Sequence, residues 1–489
     1  MSSPPQASGD GRTLIAVDLG AESCRVSLLR RDGGDPVVSL VHRFPNAPEE
    51  RNGHLFWNLQ AIEAGVETGL RRCADLAPEG ICSIAVDGWA VDYVPVDGAG
   101  RALRDPFCYR DQRTVQAEEA LHQRISPARL RQLTGVQLLR INTLYQMCAD
   151  IEMDLDPGHL WLNLPEYLLS RLGGEPIAEH TNATHTQMID LRSGQWCPEI
   201  FLAAGIDLSR APAIVPPGTP VGKLKGTLAD LPAFRDTALI APACHDTASA
   251  IAGIPASGTD WAYISSGTWS LVGTLLDRPQ NDSDAARENF TNLGAVGGKV
   301  CFHKSVNGMW ILKQCMETWI AAGRAWELTD LIREAERQPA PETLLDVDDP
   351  PLLLAGGMPG RINAQRAARG EKPLNDAPEN APEFANLIFH SLAARYAEVL
   401  RHVEAHSGKR LKRLFLVGGG SRNQYLNRLT QQATGLDLHC GSPESSTLGN
   451  FAVQLAVLGG HRHPVTGADP EHVSRWAEHL CRATEVPIS

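Results

Sequence analysis

The chain has 489 residues, 43% of them apolar and 21% charged, with a net charge of −12. That length exceeds what one hydrophobic core supports, so two or more domains are expected, while the acidic balance argues against nucleic acid or an anionic membrane as the main partner. No apolar run is long enough for a membrane span, the eleven cysteines form no C-x-x-C pair and suit reduced thiols in the cytoplasm, and Met1 to Arg12 reads as a disordered leader.

In chain order, the apolar run Leu14 to Val17, then Ser27 to Leu29 and Pro36 to Val41, predicts a three-strand meander followed by a helix over Leu59 to Leu76. A strand over Ile84 to Val86 ends at Asp87, and another follows over Tyr93 to Val96. From about Arg113 to Arg210 the sequence reads mostly helical, with a break at Asp156-Pro157-Gly158. The cluster Pro216-Pro217-Gly218 leads to a strand over Ala238 to Ala241. A domain boundary is expected within Gly253 to Gly258, dividing the chain into 1–255 and 256–489. The second half repeats the order of the first: strands from Trp261 up to Val300, helices over Asn307 to Arg337 and Phe384 to His406, then a strand over Leu414 to Val417 and a helix over Asn423 to Thr434.

Two segments share one chemistry. Val17-Asp18-Leu19-Gly20-Ala21-Glu22-Ser23 and Ile264-Ser265-Ser266-Gly267-Thr268-Trp269-Ser270 each follow a buried strand with a glycine turn and hydroxyls. Glycine lets the backbone approach an oxyanion and successive N–H groups converge on it, so both read as phosphate loops. Gly267 lies 247 residues after Gly20, about half the chain, which favours a duplicated architecture over short repeats. A third glycine segment, Gly418-Gly419-Gly420, separates a strand from a helix. It suits either a tight turn or a bare backbone platform for adenine and ribose. Neither G-x-x-x-x-G-K-[ST] nor G-x-G-x-x-G occurs, against a P-loop or Rossmann site. Asp246, in His245-Asp246-Thr247, stands just beyond a strand, where open α/β sheets place ligands. It reads either as a helix N-cap or as a general base for a phosphoryl acceptor.

These segments, with Thr181-Asn182-Ala183-Thr184 and Ser446-Thr447-Leu448-Gly449-Asn450, occur in an order that resembles the FGGY family of carbohydrate kinases from Asp18 to about Leu458. The resemblance implies an α/β fold of two ribonuclease-H-like domains of the actin and sugar-kinase type, with a cleft between them closing on ATP and Mg²⁺. It implies an N-terminal domain (1–255) that binds sugar and phosphate and a C-terminal domain (256–489) that binds nucleotide. Asp246 would be the base, with His245, Thr247, Trp89 and Ala90 at the sugar. Ala21, Glu22, Ser23, Cys24, Arg25 and Thr268 would meet phosphate, Gly418, Gly419 and Gly420 the adenosine, and Asp18 the metal. The branch it resembles most implies phosphorylation of L-rhamnulose at O1, with L-fuculose or xylulose as alternative acceptors and a non-transferring actin-type ATPase as the other class.

Some positions depart from the family pattern: Glu22-Ser23-Cys24-Arg25 in the first loop, Asp87-Gly88-Trp89-Ala90 after its strand, Lys304-Ser305 and Lys313. A carboxylate beside phosphate is unfavourable unless it turns away, so Glu22 is expected to point outward or toward the metal. Trp57, Trp269 and Trp310 read as core or stacking residues. His180 and His185 lack a carboxylate at ligand spacing and read as a polar turn. Cys24 reads as a buried, inert thiol.

Overall fold

The computed structural model describes residues 10–31 and 35–484, so the expected leader lies, up to residue 9, outside the described residues. The chain packs as two units. The first comprises the chain up to Ser257, Leu275–Phe302 and the stretch from Glu444 onward; the second comprises Gly258–Thr274 and His303–Pro443.

The first unit is built on strands β1 (Thr13–Leu19), β2 (Ser23–Arg30), β3 (Val37–Pro45), β4 (Ile81–Gly88), β5 (Thr219–Lys223) and β6 (Ala238–Ala241), ordered β5-β6-β4-β1-β2-β3. All seven residues of β1 and all eight of β4 are buried. Their continuous apolar runs are those of central strands covered on both faces. β1 pairs antiparallel with β2 and parallel with β4, and β4 pairs parallel with β6. Helix α1 (Leu59–Leu76) buries Leu59, Ile62, Val66, Leu70 and Cys73, one face at helical spacing, and Asn58 caps it by accepting the Ala61 N–H at 2.9 Å. The expected bounds of α1, of β6 and of the strand Tyr93–Val96 agree with the structure.

The region 113–210 is less helical than expected. Short strands Leu160–Asn163 and Ile177–Glu179 interrupt its helices, because each pairs with a strand distant in sequence, Tyr93–Val96 and Ala213–Val215. Beyond β6 lies the short helix α2 (Asp246–Ala252).

The second unit repeats the scheme. Strands β7 (Trp261–Ser266), β8 (Trp269–Leu276), β9 (Val300–Asn307), β10 (Arg413–Val417) and β11 (Asp437–Cys440) run in the order β9-β8-β7-β10-β11. Here β7 pairs antiparallel with β8 and parallel with β10, and β10 pairs parallel with β11. The pattern matches β1, β2, β4 and β6 strand for strand, which makes the turn after β10 the counterpart of the turn after β4. The helix expected from Asn307 begins instead at Trp310, as α3 (Trp310–Ala321), because Asn307 still belongs to β9. Helices α4 (Ala381–Ser407) and α5 (Gln424–Thr434) pack on each other, with the Tyr425 hydroxyl donating to Asn386 at 2.7 Å.

Helix α6 (Ser445–Leu458) packs on β1 and α2 in the first unit. The contact is backbone-close: a Cβ at Gly449 would lie 1.8 Å from the Ser249 carbonyl oxygen, so any side chain there would force the two helices apart.

Candidate active site

The ends of β1 and β4 bring two carboxylates side by side. In the parallel register Asp18 faces Asp87, and in the antiparallel register it faces Arg25, whose Nη1 lies 3.4 Å from Asp18 Oδ2. Helix α6 lays Ser446, Asn450 and Gln454, spaced four apart, along these strands. The Ser446 hydroxyl donates to Asp18 at 2.9 Å, Asn450 Nδ2 to Asp87 Oδ2 at 2.6 Å, and Gln454 Nε2 to the Ile15 carbonyl at 3.1 Å. Burial, then the Asp18 charge, pushes the Asp87 carboxyl well up; burial raises Asp18 as well, against the opposing pull of Arg25 and Ser446. Asp87 Oδ1 has no hydrogen-bond donor among the described residues.

That pair fits a cation. Two buried, mutually repelling carboxylates with a spare oxygen gain from a positive charge. Among the described residues no group of three or more acid, His or Cys side chains is assembled for a metal. The arrangement therefore suits an ion held by one or two carboxylates together with phosphate and water, the usual habit of Mg²⁺.

Asp246 stands at the corner between β6 and α2. It is the first residue of the helix and the capping position is His245, so Asp246 does not act as the N-cap. Its Oδ1 accepts the Thr247 hydroxyl at 3.1 Å, and about a third of its side chain (34%) stays open to solvent. Desolvation by the protein around its closed side, then the Asp18 charge, pushes it up to about 7. The corner is held from beneath by buried carboxylates. Glu179 accepts the Cys244 N–H at 2.8 Å and the Thr181 N–H at 2.9 Å, Glu166 accepts Asn182 Nδ2 at 2.9 Å, and the Thr181 hydroxyl oxygen accepts the His245 N–H at 3.2 Å. Thr181 and Asn182 are thus the supports of Asp246. Burial pushes Glu179 up to about 8 and Glu166 to about 7.

Gly88 joins this corner to β4, its N–H donating to the Cys244 carbonyl at 2.9 Å. Trp89 and Ala90 follow at once, both buried. Asp92 ties two indoles together, accepting Trp57 Nε1 at 2.6 Å and Trp89 Nε1 at 2.9 Å, with the rings 4.6 Å apart. Between Ala90 and Asp92 in sequence, Val91 sits at φ +73°, a left-handed conformation that a β-branched residue adopts only under constraint. The Thr143 hydroxyl, donating to its carbonyl at 2.7 Å, is one such constraint.

In the first loop, Glu22 is exposed and Ala21 half-buried, while Asn46 Nδ2 donates to the Gly20 carbonyl at 3.0 Å. Ser23, Cys24 and Arg25 belong to β2 rather than to the turn. Cys24 is wholly buried and its thiol is pushed up to about 12, first by burial and then by Asp18.

In the second unit, Ser265 pairs with Val417, so the loop Gly267-Thr268 and the turn Gly418-Gly419-Gly420 emerge from neighbouring strand ends. They are packed to contact. A Cβ at Gly420 would fall 2.0 Å from Ser266 Oγ, and one at Gly418, itself at φ +82°, 2.8 Å from the Ser266 carbonyl oxygen. The Met309 N–H donates to the Gly267 carbonyl at 3.1 Å and the Trp310 N–H to that of Thr268 at 3.2 Å, fastening the loop to the start of α3.

Both halves of the chain match one family. Residues 13–253 match the N-terminal domain of the FGGY family of carbohydrate kinases, and residues 262–458 its C-terminal domain. The chain belongs to the FGGY family of carbohydrate kinases. It is 33% identical to a rhamnulokinase of Enterococcus faecalis, covering 92% of this chain and 90% of that protein, and 35% identical to a rhamnulokinase of Yersinia pestis, covering 91% and 90%. Its fold is similar to that of a ligand-bound xylulose kinase from Lactobacillus acidophilus, with a TM-score of 0.74 at 15% identity over 97% of each chain. This FGGY kinase is an ATP-dependent sugar kinase with the two-domain α/β fold of its family.

Sequence reasoning overlooked Asp87 as a partner of Asp18 and the buried pair Glu166 and Glu179, and it read His185 only as part of a polar turn, where the structure sets it against His245. One signal was legible: in the apolar stretch 445–458, Ser446, Asn450 and Gln454 recur every fourth residue, a polar stripe on a buried helix face.

Proposed function

We propose that this kinase transfers the γ-phosphoryl group of ATP to O1 of L-rhamnulose, giving L-rhamnulose 1-phosphate, with Asp246 as general base. The observation that carries the chemistry is the state of Asp246: a carboxylate past the end of a parallel strand, open on one side and poised near neutrality at about 7. The name rhamnulokinase on relatives sharing a third of the sequence supports the sugar.

In this reading the acceptor O–H bond breaks, Asp246 takes the proton, and the sugar oxygen's electron pair forms the new bond to phosphorus as the bond to the leaving ADP oxygen breaks. His245 and Thr247 orient the acceptor hydroxyl, and Trp89 and Ala90 close the sugar site. Ala21, Glu22, Ser23, Cys24 and Arg25 form the first phosphate segment. Within it Arg25 carries the charge, while the exposed Glu22 and the buried Cys24 leave contacts to the backbone. Thr268 meets phosphate from the second unit, and Gly418, Gly419 and Gly420 receive the adenosine. Asp18, with Asp87 beside it, holds Mg²⁺, which when bound neutralises phosphate charge. The segment 1–255 then supplies the sugar-binding and first phosphate-loop residues, and the segment 256–489 the residues that bind nucleotide. The scattered cysteines, with no C-x-x-C pair, and the need for ATP suit the cytoplasm.

ADP release measured over L-rhamnulose, L-fuculose and D-xylulose tests the sugar, with L-rhamnulose expected to give the highest kcat/KM; no response to it overturns the assignment. Asp246→Asn tests the base. Turnover should fall by about 100-fold or more with ATP affinity kept, and undiminished turnover would remove Asp246 from the mechanism.

A further inference from the structure

His185 lies outside every motif assigned above, yet it touches the catalytic corner. The turn that carries it is stitched in place: the Thr184 hydroxyl donates to the Thr181 carbonyl at 2.9 Å, the Thr186 hydroxyl to the Ala183 carbonyl at 2.6 Å, and Asn142 to Gln187 at 2.8 Å. From this fixed base His185 Nε2 lies 3.0 Å from His245 Nδ1, with the ring centroids 3.9 Å apart. The other nitrogen of His245, Nε2, lies 3.4 Å from Asp246 Oδ1. The three side chains form a line, His185 to His245 to Asp246.

With Asp246 ionised and His245 neutral, one proton arrangement satisfies that line. Burial holds the His185 ring well below its ordinary range, so it is neutral and has a single N–H. If His245 donated from Nδ1 to His185, the lone pair on its Nε2 would face the Asp246 carboxylate, two acceptors in opposition. If His185 donates from Nε2 to His245 Nδ1, the proton of His245 sits on Nε2 and faces the carboxylate. The second arrangement sets a proton between each pair of neighbours in the line.

We propose that His185 is a positioning residue that fixes His245 as its Nε2–H tautomer, keeping a hydrogen-bond donor against Asp246 and the acceptor hydroxyl and denying His245 the role of competing base. This rests on the reading of Asp246 as base. With Nδ1 of His245 already occupied by the His185 proton, the proton leaving the sugar goes to the carboxylate.

The test is ¹⁵N NMR of the histidine side chains in the full chain without ligands, His245 being assigned by its loss in His245→Gln, together with steady-state kinetics. In the wild type His245 should carry its proton on Nε2. In His185→Phe its two nitrogens should average toward a tautomer mixture, with kcat lowered about tenfold or more, the worth of one directed hydrogen bond, and KM for ATP unchanged. His185→Gln, which keeps an N–H at a similar reach, should restore both tautomer and kcat. A wild-type proton on Nδ1, or a tautomer unchanged in His185→Phe, overturns the proposal. Should His185→Phe fail to fold, the wild-type spectrum and His185→Gln still decide it. Asp246→Asn with undiminished turnover would instead refute the base reading, which the ligand-free tautomer measurement does not share.

Discussion

Gly420→Ala probes the packing of the glycine turn on Ser266, which leads into the Gly267-Thr268 loop. The new Cβ would lie 2.0 Å from Ser266 Oγ, 2.6 Å from Ser266 Cβ and 3.2 Å from its carbonyl oxygen. The hydroxyl can rotate away, but the Cβ cannot. Moving the 2.6 Å approach out to the ordinary 3.4 Å asks the turn to open by about 0.8 Å. Overpacking of this kind costs about 1–3 kcal/mol, and a displacement near 1 Å at a positioned reactant lowers rate by about 100-fold. We therefore expect kcat/KM for ATP to fall about 10- to 100-fold, measured by coupled ADP release, while sugar affinity by calorimetry stays unchanged. Ser266→Gly removes both the Oγ and the Cβ, so the double variant should regain most of the loss over the Ser266→Gly single. Wild-type ATP kinetics in Gly420→Ala, or a double variant no better than Gly420→Ala alone, would refute the steric argument.

With Asp246 raised to about 7, and the proposed base needing to be ionised to accept a proton, kcat/KM for the sugar should rise with pH, with a slope of one below about 7 and a plateau above; a limb centred near 4 would contradict the desolvated carboxylate. Asp92→Ala leaves the indole N–H groups of Trp57 and Trp89 without their acceptor, each buried donor costing about 1–3 kcal/mol. Tm should fall and KM for the sugar rise while KM for ATP holds, and an unmoved sugar KM would detach the indole pair from the sugar site. Glu179, raised to about 8, contributes stability that is present below its unfolded range near 4.5 and lost as pH rises toward 8. Thermal melts of Glu179→Gln should therefore gain on the wild type between pH 5 and 8, and a parallel pair of curves would show that Glu179 does not titrate in this window.

Much of the architecture was legible because it is written locally. The run Leu14 to Val17, the face of α1, the strand over Ala238 to Ala241 and the two glycine loops each carry their own period or turn chemistry, and their order carries the family. What was not legible depends on partners far apart in sequence. The strand Ile177–Glu179 inside a helical stretch exists because Ala213–Val215 lies beside it.

The same holds at the site. The residue types of His245-Asp246-Thr247 marked Asp246 as a candidate acid, but its raised pKa follows from burial and from Asp18, 228 positions earlier, and only folding sets those together. Asp87 meets Asp18 through the β1–β4 register, Asn450 reaches Asp87 because helix α6 returns to the first sheet, and His185 finds His245 across a stitched turn. The sequence by itself determined the family, the order of elements and the groups able to do chemistry, since backbone propensity and side-chain type are local properties. Tertiary structure alone decided which of those groups are charged, paired or held still, because electrostatics and hydrogen bonding act through space and not along the chain.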